Sequence, residues 1–578
     1  MTKFSALSAP SIVWATWTIM VFTALVSIGK YHHEVPICED WEYVAYATGA
    51  EPIIISWLWD QETEHRFPLT RLVGVALLRI ADCDNWAIML FRVSAMGGLA
   101  LAMIVVAKKI RGWTSYADAF FPLVFFQWAA SPHMLRGVTG LGYTLPTYIA
   151  GVLLLIVVTR GTRLDLGSGI LAGLCLILLP LCGGMGLVYL PAMTLWFAYS
   201  GVCTWRSLEL HGKRNSLAVL ALALAVVLLV AYYFVGFQKG TSYYPSNTSI
   251  RQIIKTSLAF LTKSMGRVAP TLWPSSGPPL LILLALSALI LFMTMWRNRS
   301  VQDSRAFGLF FFGAAIATQA LAIGWARGVS GTGAAWSYEF LPALTLPWIY
   351  FVWVLCGPKA FGNFMQMCLF VLMVVVAPVN IATDYKLLTN HFAGITAFKH
   401  DMEQGVPPYV LIARHQLTIT TDAGWGEDLV DDKCLLALRR AQIGSFRHLQ
   451  DNPPFRELLL TLKPRTNQAT WNDETVHGMG EDSYITFALP EPMFVAGVRI
   501  RGKHSNEATA VVVIIWGRLG NSGFSQTGSN YSQGWYGEDY QRTFYVADTI
   551  DQVRVFPDNK PSGFSITELV LLIPEAKP

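Results

Sequence analysis

The sequence predicts a polytopic α-helical membrane protein with a C-terminal domain outside the membrane that contains a β-sandwich. Three observations lead there. Of 578 residues, 53% are hydrophobic and only 14% are charged, with a mean hydropathy of +0.42; soluble proteins average about 25% charged residues. Apolar runs approaching the ~20 residues that cross a hydrocarbon core recur as far as residue 382. From residue 482 onward the pattern changes to short alternating runs bounded by Gly, Pro, Asn and Asp, which reads as a sandwich.

The apolar runs fall near 11–29, 86–107, 115–131, 143–159, 165–182, 184–204, 216–237, 278–296, 306–325, 339–356 and 364–382, roughly eleven spans. Gly and Pro interrupt the pair around "LLPLCGGMGLVYLP". The first run lacks a small-x-small cleavage site before polar sequence, so it reads as a span and not as a removed signal. The basic loops "KKIRG" (108–112), "RGTR" (160–163), "RSLELHGKR" (206–214) and "RNRSVQDSR" (297–305) all fall on one side if the first span runs outward. The positive-inside rule makes that side the cytoplasm, together with the N-terminus. The loops 30–85 and 238–277, and everything after 383, then lie outside. Three regions follow: 1–382 in the membrane, a mixed α/β connection over 383–481, and the sandwich over 482–578.

Within 248–266, Ile250, Ile253, Ile254, Leu258 and Leu261 recur at helical spacing with basic residues between them. That suits a helix lying on the membrane surface or an ordinary packed loop helix. Cys38 and Cys83 stand near the two ends of the first outside loop, where an oxidising compartment would let them pair. The formal charge of +5 is small for the length, and nothing in its distribution points to nucleic acid.

The polar residues concentrate at the outer ends of the spans. "ICEDWEYVAYATG" places Glu39 and Asp40 just past the first span; a shielded carboxylate there can act as general base towards a hydroxyl, or simply cap a helix. Partial burial raises a carboxylate pKa towards useful basicity. "ETEHRFPLTR" brings Glu64, His65, Arg66 and Arg71 together, a set suited to phosphate or to a salt-bridged surface helix. His133, Arg136, Lys239, Arg327 and Glu339 sit at later helix ends. Arg92 lies inside the second span and is expected to snorkel outward or to meet an anion. "DCD" (82–84) and "YHHE" (31–34) are weak metal motifs, and HExxH, the P-loop, GxSxG and a strand-to-helix GxGxxG are missing. No metal site is assigned. The chemistry requires no cofactor and is compatible with Mg or Mn.

A chain of many spans whose first large outside loop carries an acid just after the first helix resembles the GT-C superfamily of membrane glycosyltransferases, which includes the protein O-mannosyltransferases and the lipid A aminoarabinose transferase. More narrowly, "EDWEYV", "EHRFPLTRLV" and "ARGVSGTGAAWSYEFLPALTLPW" are similar to a group of bacterial membrane proteins with NEHR-x-x-x-P-R and R-x-G…SRY signatures. The resemblance implies that Asp40 is the base, with Glu39 in reserve. It implies that Glu64 and Arg71 organise the loop, and that His65, Arg66, Lys239 and Arg327 meet the donor phosphate. Where those proteins carry Ser-Arg-Tyr, this chain has Ser337-Tyr338 without the Arg. The phrase "VADTIDQVRVFPDNKPSGFSITELVLLIP" resembles galactose-binding-like sandwiches of carbohydrate-binding modules, which would make Trp516, Trp535 and Tyr536 sugar-stacking residues; core packing is the other role for each.

The implied activity is transfer of a sugar, with inversion, from a polyprenyl-phosphate donor to a hydroxyl on a glycan, lipid or protein at the outer face of a bacterial inner membrane. The partners implied are that donor, that acceptor and membrane lipid, with no nucleic acid. Two other readings stay open: a transporter or flippase of lipid-linked glycans, and a non-catalytic sugar-binding scaffold. A transporter needs polar residues along a path through the bilayer, whereas the charges here gather at one rim.

Overall fold

A computed structural model of the chain describes residues 8–62, 65–128, 131–205, 210–237, 246–297, 305–327, 338–420, 432–460, 464–472, 475–478, 483–504, 510–518, 524–534, 539–556 and 563–575. The helices in the first part of the chain are α1 (Ala9–Tyr31), α2 (Val44–Thr48), α3 (Ile55–Trp59), α4 (Pro68–Ile80), α5 (Trp86–Arg111), α6 (Phe120–Phe126), α7 (Val138–Arg160), α8 (Leu166–Leu178) and α9 (Gly184–Leu187). They continue as α10 (Leu190–Trp205), α11 (Leu210–Tyr233), α12 (Ile250–Thr262), α13 (Trp273–Arg297), α14 (Arg305–Arg327), α15 (Thr345–Leu355), α16 (Lys359–Glu403), α17 (Pro408–Ile419) and α18 (Asp432–Arg440).

Among the described residues seven helices are long and apolar enough to cross a membrane: α1, α5, α7, α11, α13, α14 and α16. Four of the eleven expected runs instead form shorter helices: α6 with 7 residues, α8 with 13, α10 with 16 and α15 with 11. The reason is local. Pro180 and the Gly183-Gly184 pair break the run between α8 and α10, and a 3-10 turn over Leu341–Leu344 takes up the start of α15. Such broken backbone is tolerated at apolar depth only where protein surrounds it. In α15 every residue from Thr345 to Trp353 is buried.

The helices pack closely where small residues allow it. A Cβ on Gly151 of α7 would lie 2.5 Å from Leu99 of α5, and one on Gly173 of α8 would lie 2.6 Å from Leu222 of α11; small residues at such crossings let apolar helices approach. Gly266 is held at φ +108°, and a Cβ there would lie 1.7 Å from the Asn380 amide. That amide donates to the side-chain Oε1 of Gln127 and to the backbone carbonyl of Met265. Gly266→Ala is therefore expected to lower stability by about 3 kcal/mol through overpacking and backbone strain, read as an earlier unfolding transition in detergent.

The helix α12 packs on α14, burying Thr256, Ser257, Phe260 and Leu261. Its opposite face exposes Ile250 and Ile254, so it is a packed helix with one apolar edge left open. The last long helix, α16, runs unbroken for 45 residues. At 1.5 Å per residue that is about 67 Å, more than twice a hydrocarbon core. Residue 383 is therefore no break in the backbone: the span continues as the stem of the following region.

Among the described residues nine antiparallel strands follow, β1 (Phe455–Leu459), β2 (Arg465–Asn467), β3 (Ala469–Asn472), β4 (Thr475–Gly478), β5 (Tyr484–His504), β6 (Ala510–Arg518), β7 (Phe524–Gly534), β8 (Asp539–Phe556) and β9 (Gly563–Pro574). They join in one continuous sheet of order β3-β4-β9-β5-β8-β6-β7, with β1 beside β9 and β2 beside β5. Strand structure thus begins at Phe455, earlier than the sequence boundary at 482. Alternation on β9 sends Leu569 and Leu571 into the sheet's own core, while Val570 and Leu572 join Ile395, Phe398 and Tyr409 of α16 and α17. The period of two explains how one strand serves both contacts.

Two expectations change here. Trp516 is 5% exposed and packs within the sheet core, so its ring has no face free for a sugar. The other two stacking candidates, Trp535 and Tyr536, lie outside the described residues. Cys38 and Cys83 are not joined in a disulfide; the Cys38 thiol donates to the Thr420 carbonyl at 2.8 Å instead.

Candidate functional site

The first outside loop folds back over the membrane end of the helices. After α1 the chain forms a 3-10 turn over Cys38–Tyr43, and this turn presents both acids. Asp40 is 7% exposed. Its Oδ2 accepts from the Gly137 amide at 2.6 Å, and its Oδ1 accepts from the Thr139 amide at 3.0 Å and the Thr139 hydroxyl at 3.1 Å. Gly137 and Thr139 open α7, so Asp40 supplies from a distant segment the carboxylate that a helix N-terminus favours. Burial raises its pKa above the usual aspartate value, and the two amide donors offset part of that rise. Asp40→Ala is expected to lower stability by about 1–2 kcal/mol, the usual loss on removing a cap, measurable by thermal unfolding in detergent.

Glu39 is placed differently. It is half-buried, and its Oε2 is shielded from solvent with no hydrogen-bond partner among the described residues. It lies within electrostatic reach of Asp40, of the buried Arg136 guanidinium and of Tyr143 on α7. Tyr143 in turn meets Tyr338 edge to face at 6.0 Å, and the Tyr338 hydroxyl accepts from Arg327 Nε at 3.0 Å. Arg327 is also within electrostatic reach of Tyr143. One tyrosine therefore has the free acid on one side and two cations on the others. Arg92 does not snorkel; it lies within electrostatic reach of the Asp40 carboxylate, without a direct ion pair among the described residues. Fully buried in α5, it donates to Thr144 Oγ1 at 3.0 Å and to the His133 carbonyl at 2.7 Å, with Phe340 beneath its guanidinium. It thereby closes the turn that carries Arg136.

The EHR segment faces elsewhere. Arg66 donates to the carbonyls of Trp59 at 2.8 Å and Val235 at 3.2 Å, tying the loop to the end of α11. The His65 ring and Phe67 nest over Gly184 and Gly183, where added Cβ atoms would lie 2.6 and 2.4 Å away. Arg71 donates to the Trp57 and Asp60 carbonyls and to Glu62 at 3.0 Å. Arg66 and Arg71 thus have their guanidinium groups directed to the protein's own oxygens, not to an open phosphate site. Glu64 and Lys239 lie outside the described residues, as does Ser337.

A buried ionic group that the sequence hides stands behind Tyr338. Glu339 is 1% exposed and pairs with Arg267 at 2.8 Å, and Arg267 also pairs with the fully buried Asp384 of α16. The Ser131 hydroxyl donates to Glu339 Oε2 at 3.0 Å. Glu339 was legible as a polar residue at a helix end. Arg267 and Asp384 sit in unremarkable sequence, "MGRVAP" and "IATDYK", far apart along the chain.

On its other side the acid turn borders a small cavity lined by His33, Glu34, Asp40, Asn85 and Leu438 among others, of about 30 Å³. That is room for a water or two and not for a sugar. His33 is buried there, and Asn85 lies 3.3 Å from its Nε2. Burial, aided by the nearby His391, pushes the ring pKa down from 6.5 to about 3. The folded state keeps the ring neutral, so its contribution to stability is complete above pH 6.5 and is lost as pH falls from 6.5 towards 3. In His33→Gln the acid-induced loss over that window should shrink; an unchanged acid profile would contradict the assignment. Among the described residues no group of three or more His, Cys, Asp or Glu side chains could hold a metal ion.

No protein-family model matches the chain, and no curated protein matches it. Among solved structures it aligns with the arabinosyltransferase EmbB of Mycobacterium smegmatis, determined by single-particle cryo-EM, at 10% identity and a TM-score of 0.28. The alignment covers 100% of this chain and 65% of the length of that one. So low a score does not place the two chains in one fold.

Proposed function

We propose that the chain is a membrane glycosyltransferase that moves a sugar from a polyprenyl-phosphate donor to an acceptor hydroxyl at the outer face of a bacterial inner membrane. The observation that carries this reading is a half-buried Glu39 whose Oε2 has no hydrogen-bond partner among the described residues, within electrostatic reach of Arg136 and of Tyr143, which Arg136 and Arg327 also reach. A one-step displacement needs a base for the incoming hydroxyl and cations for the departing phosphate. Glu39 Oε2 takes the acceptor proton as the new bond to the anomeric carbon forms. The bond from that carbon to the phosphate oxygen breaks with inversion, and Arg327 and Arg136 face the charge that develops on the polyprenyl phosphate. Asp40 holds the start of α7 and through it Tyr143. The donor's chain lies along the apolar helices, and the acceptor is a glycan, a lipid or a protein.

The distribution of buried charge favours chemistry at one face over passage across the bilayer. Arg92, Arg136, Arg267, Glu339 and Asp384 gather near the acid turn, and the buried Arg111–Asp118 pair, 2.6 Å apart, closes the far end of α5. The test is purified protein in lipid nanodiscs supplied with labelled polyprenyl-phosphate pentoses and hexoses. Acceptor-dependent release of free polyprenyl phosphate is expected with one sugar of the panel. Intact donor throughout, from monodisperse and folded protein, would overturn the reading.

A further inference from the structure

The region after the membrane spans reaches back and grips the acid turn. The indole N–H of Trp41, which is fully buried, donates to the Ile419 carbonyl at the end of α17 at 3.3 Å, and its ring meets Phe446 edge to face at 6.4 Å. Cys38 donates to the neighbouring Thr420 carbonyl at 2.8 Å, and Cys434 at the start of α18 donates to the Trp41 carbonyl at 3.6 Å. Before the turn, Glu34 pairs with Lys399 of α16 at 2.8 Å and accepts from the Ser445 amide at 3.0 Å. The turn is therefore held on both sides, by α7 through Asp40 and by α16 to α18 through Cys38 and Trp41. Cys38 keeps a left-handed backbone, φ +56°, inside this grip, a conformation that costs about 1–3 kcal/mol in a non-glycine residue and persists only where its surroundings hold it.

We infer that Trp41 is a positioning residue, through which the region after residue 383 sets where Glu39 stands. This region is then part of the active site and not a detachable module. The inference deepens the proposed transferase reading and, for its effect on rate, rests on it. A phenylalanine at 41 keeps a ring facing Phe446 but loses the bond to Ile419 and part of the buried ring volume, so the turn loosens on the side held by α17. A base displaced by a fraction of an ångström slows the chemical step without weakening hold on the donor.

The test compares the full chain carrying Trp41→Phe with wild type in two readouts. The first is turnover of polyprenyl-phosphate sugar: kcat is expected to fall about tenfold with KM for the donor unchanged. The second is amide hydrogen exchange at Gly137 and Thr139, whose N–H groups bond the Asp40 carboxylate; exchange there should quicken about tenfold, while amides of α5 stay protected. Phe446→Leu, which touches the clamp from its far side, should give the same pair of changes if Trp41→Phe does not fold. Unchanged exchange at Gly137 and Thr139 in both variants overturns the clamp. If the wild type turns over no donor, the transferase reading fails by itself, and the exchange result still decides whether the clamp exists.

Discussion

Replacing Arg267 by Met is expected to leave little folded protein. Its guanidinium bridges Glu339 and Asp384, which are 1% and 0% exposed. Removing the shared cation takes from Asp384 its ion-pair partner and leaves Glu339 with the Ser131 hydroxyl and the nearby Lys263; breaking a buried pair costs about 3–5 kcal/mol against a whole-domain stability of about 5–15 kcal/mol. Arg267→Lys keeps the charge on a single compact ammonium, which cannot reach both acids as a planar fork does, so an intermediate loss is expected. Adding Glu339→Gln with Asp384→Asn to Arg267→Met should recover part of the stability, because neutral amides tolerate burial better than lone anions. Monodisperse yield and thermal unfolding in detergent read all three. Wild-type stability in Arg267→Met would mean that the network does not hold the segment carrying Tyr338.

The second large effect concerns rate. Glu39→Gln preserves size and removes the basic lone pair, so turnover should fall by about 10²–10⁴, the range for loss of a general base. Stability should fall little, since Glu39 Oε2 makes no hydrogen bond among the described residues and the loss is that of a charge near Arg136. Asp40→Asn should behave in the opposite way. Its amide nitrogen would face either the Gly137 or the Thr139 donor, so the entry to α7 loosens and the unfolding temperature drops. Full stability with lost turnover in Asp40→Asn, beside an active Glu39→Gln, would exchange the two roles.

Much of this was legible because membrane helices announce themselves. Apolar runs marked the seven helices long enough to span, though not α4, which packs against α7 from within the first loop, and "ICEDWEYV" marked the turn that carries Glu39 and Asp40. That Asp40 bonds the start of α7 while Glu39 Oε2 does not was not legible, because it depends on where Gly137 and Thr139 lie, nearly a hundred residues away, and spacing within the turn carries no trace of that. The same holds for Arg66: its guanidinium looks like a phosphate ligand in "EHRFP" until the carbonyls of Trp59 and Val235 come into reach. Trp516 stands in a strand that alternates correctly, and only the burial of that strand face shows it to be core. Among the described residues seven helices reach spanning length, and part of the difference from eleven lies where Pro180, Gly183 and Gly184 cut apolar sequence into pieces that hydropathy alone joins. Arg267 and Asp384 had no signal, since a charge beside an apolar run reads as a helix end until its partner is found.

The central claim is a single displacement at the anomeric carbon with Glu39 as the base. The most direct measurement is the anomeric configuration of the transferred sugar, followed by NMR during turnover of a donor of known configuration, in wild type and Glu39→Gln. Inversion is expected in the wild type, and transfer lowered by at least about 100-fold in the variant. Retention of configuration, or undiminished transfer by Glu39→Gln, would contradict it.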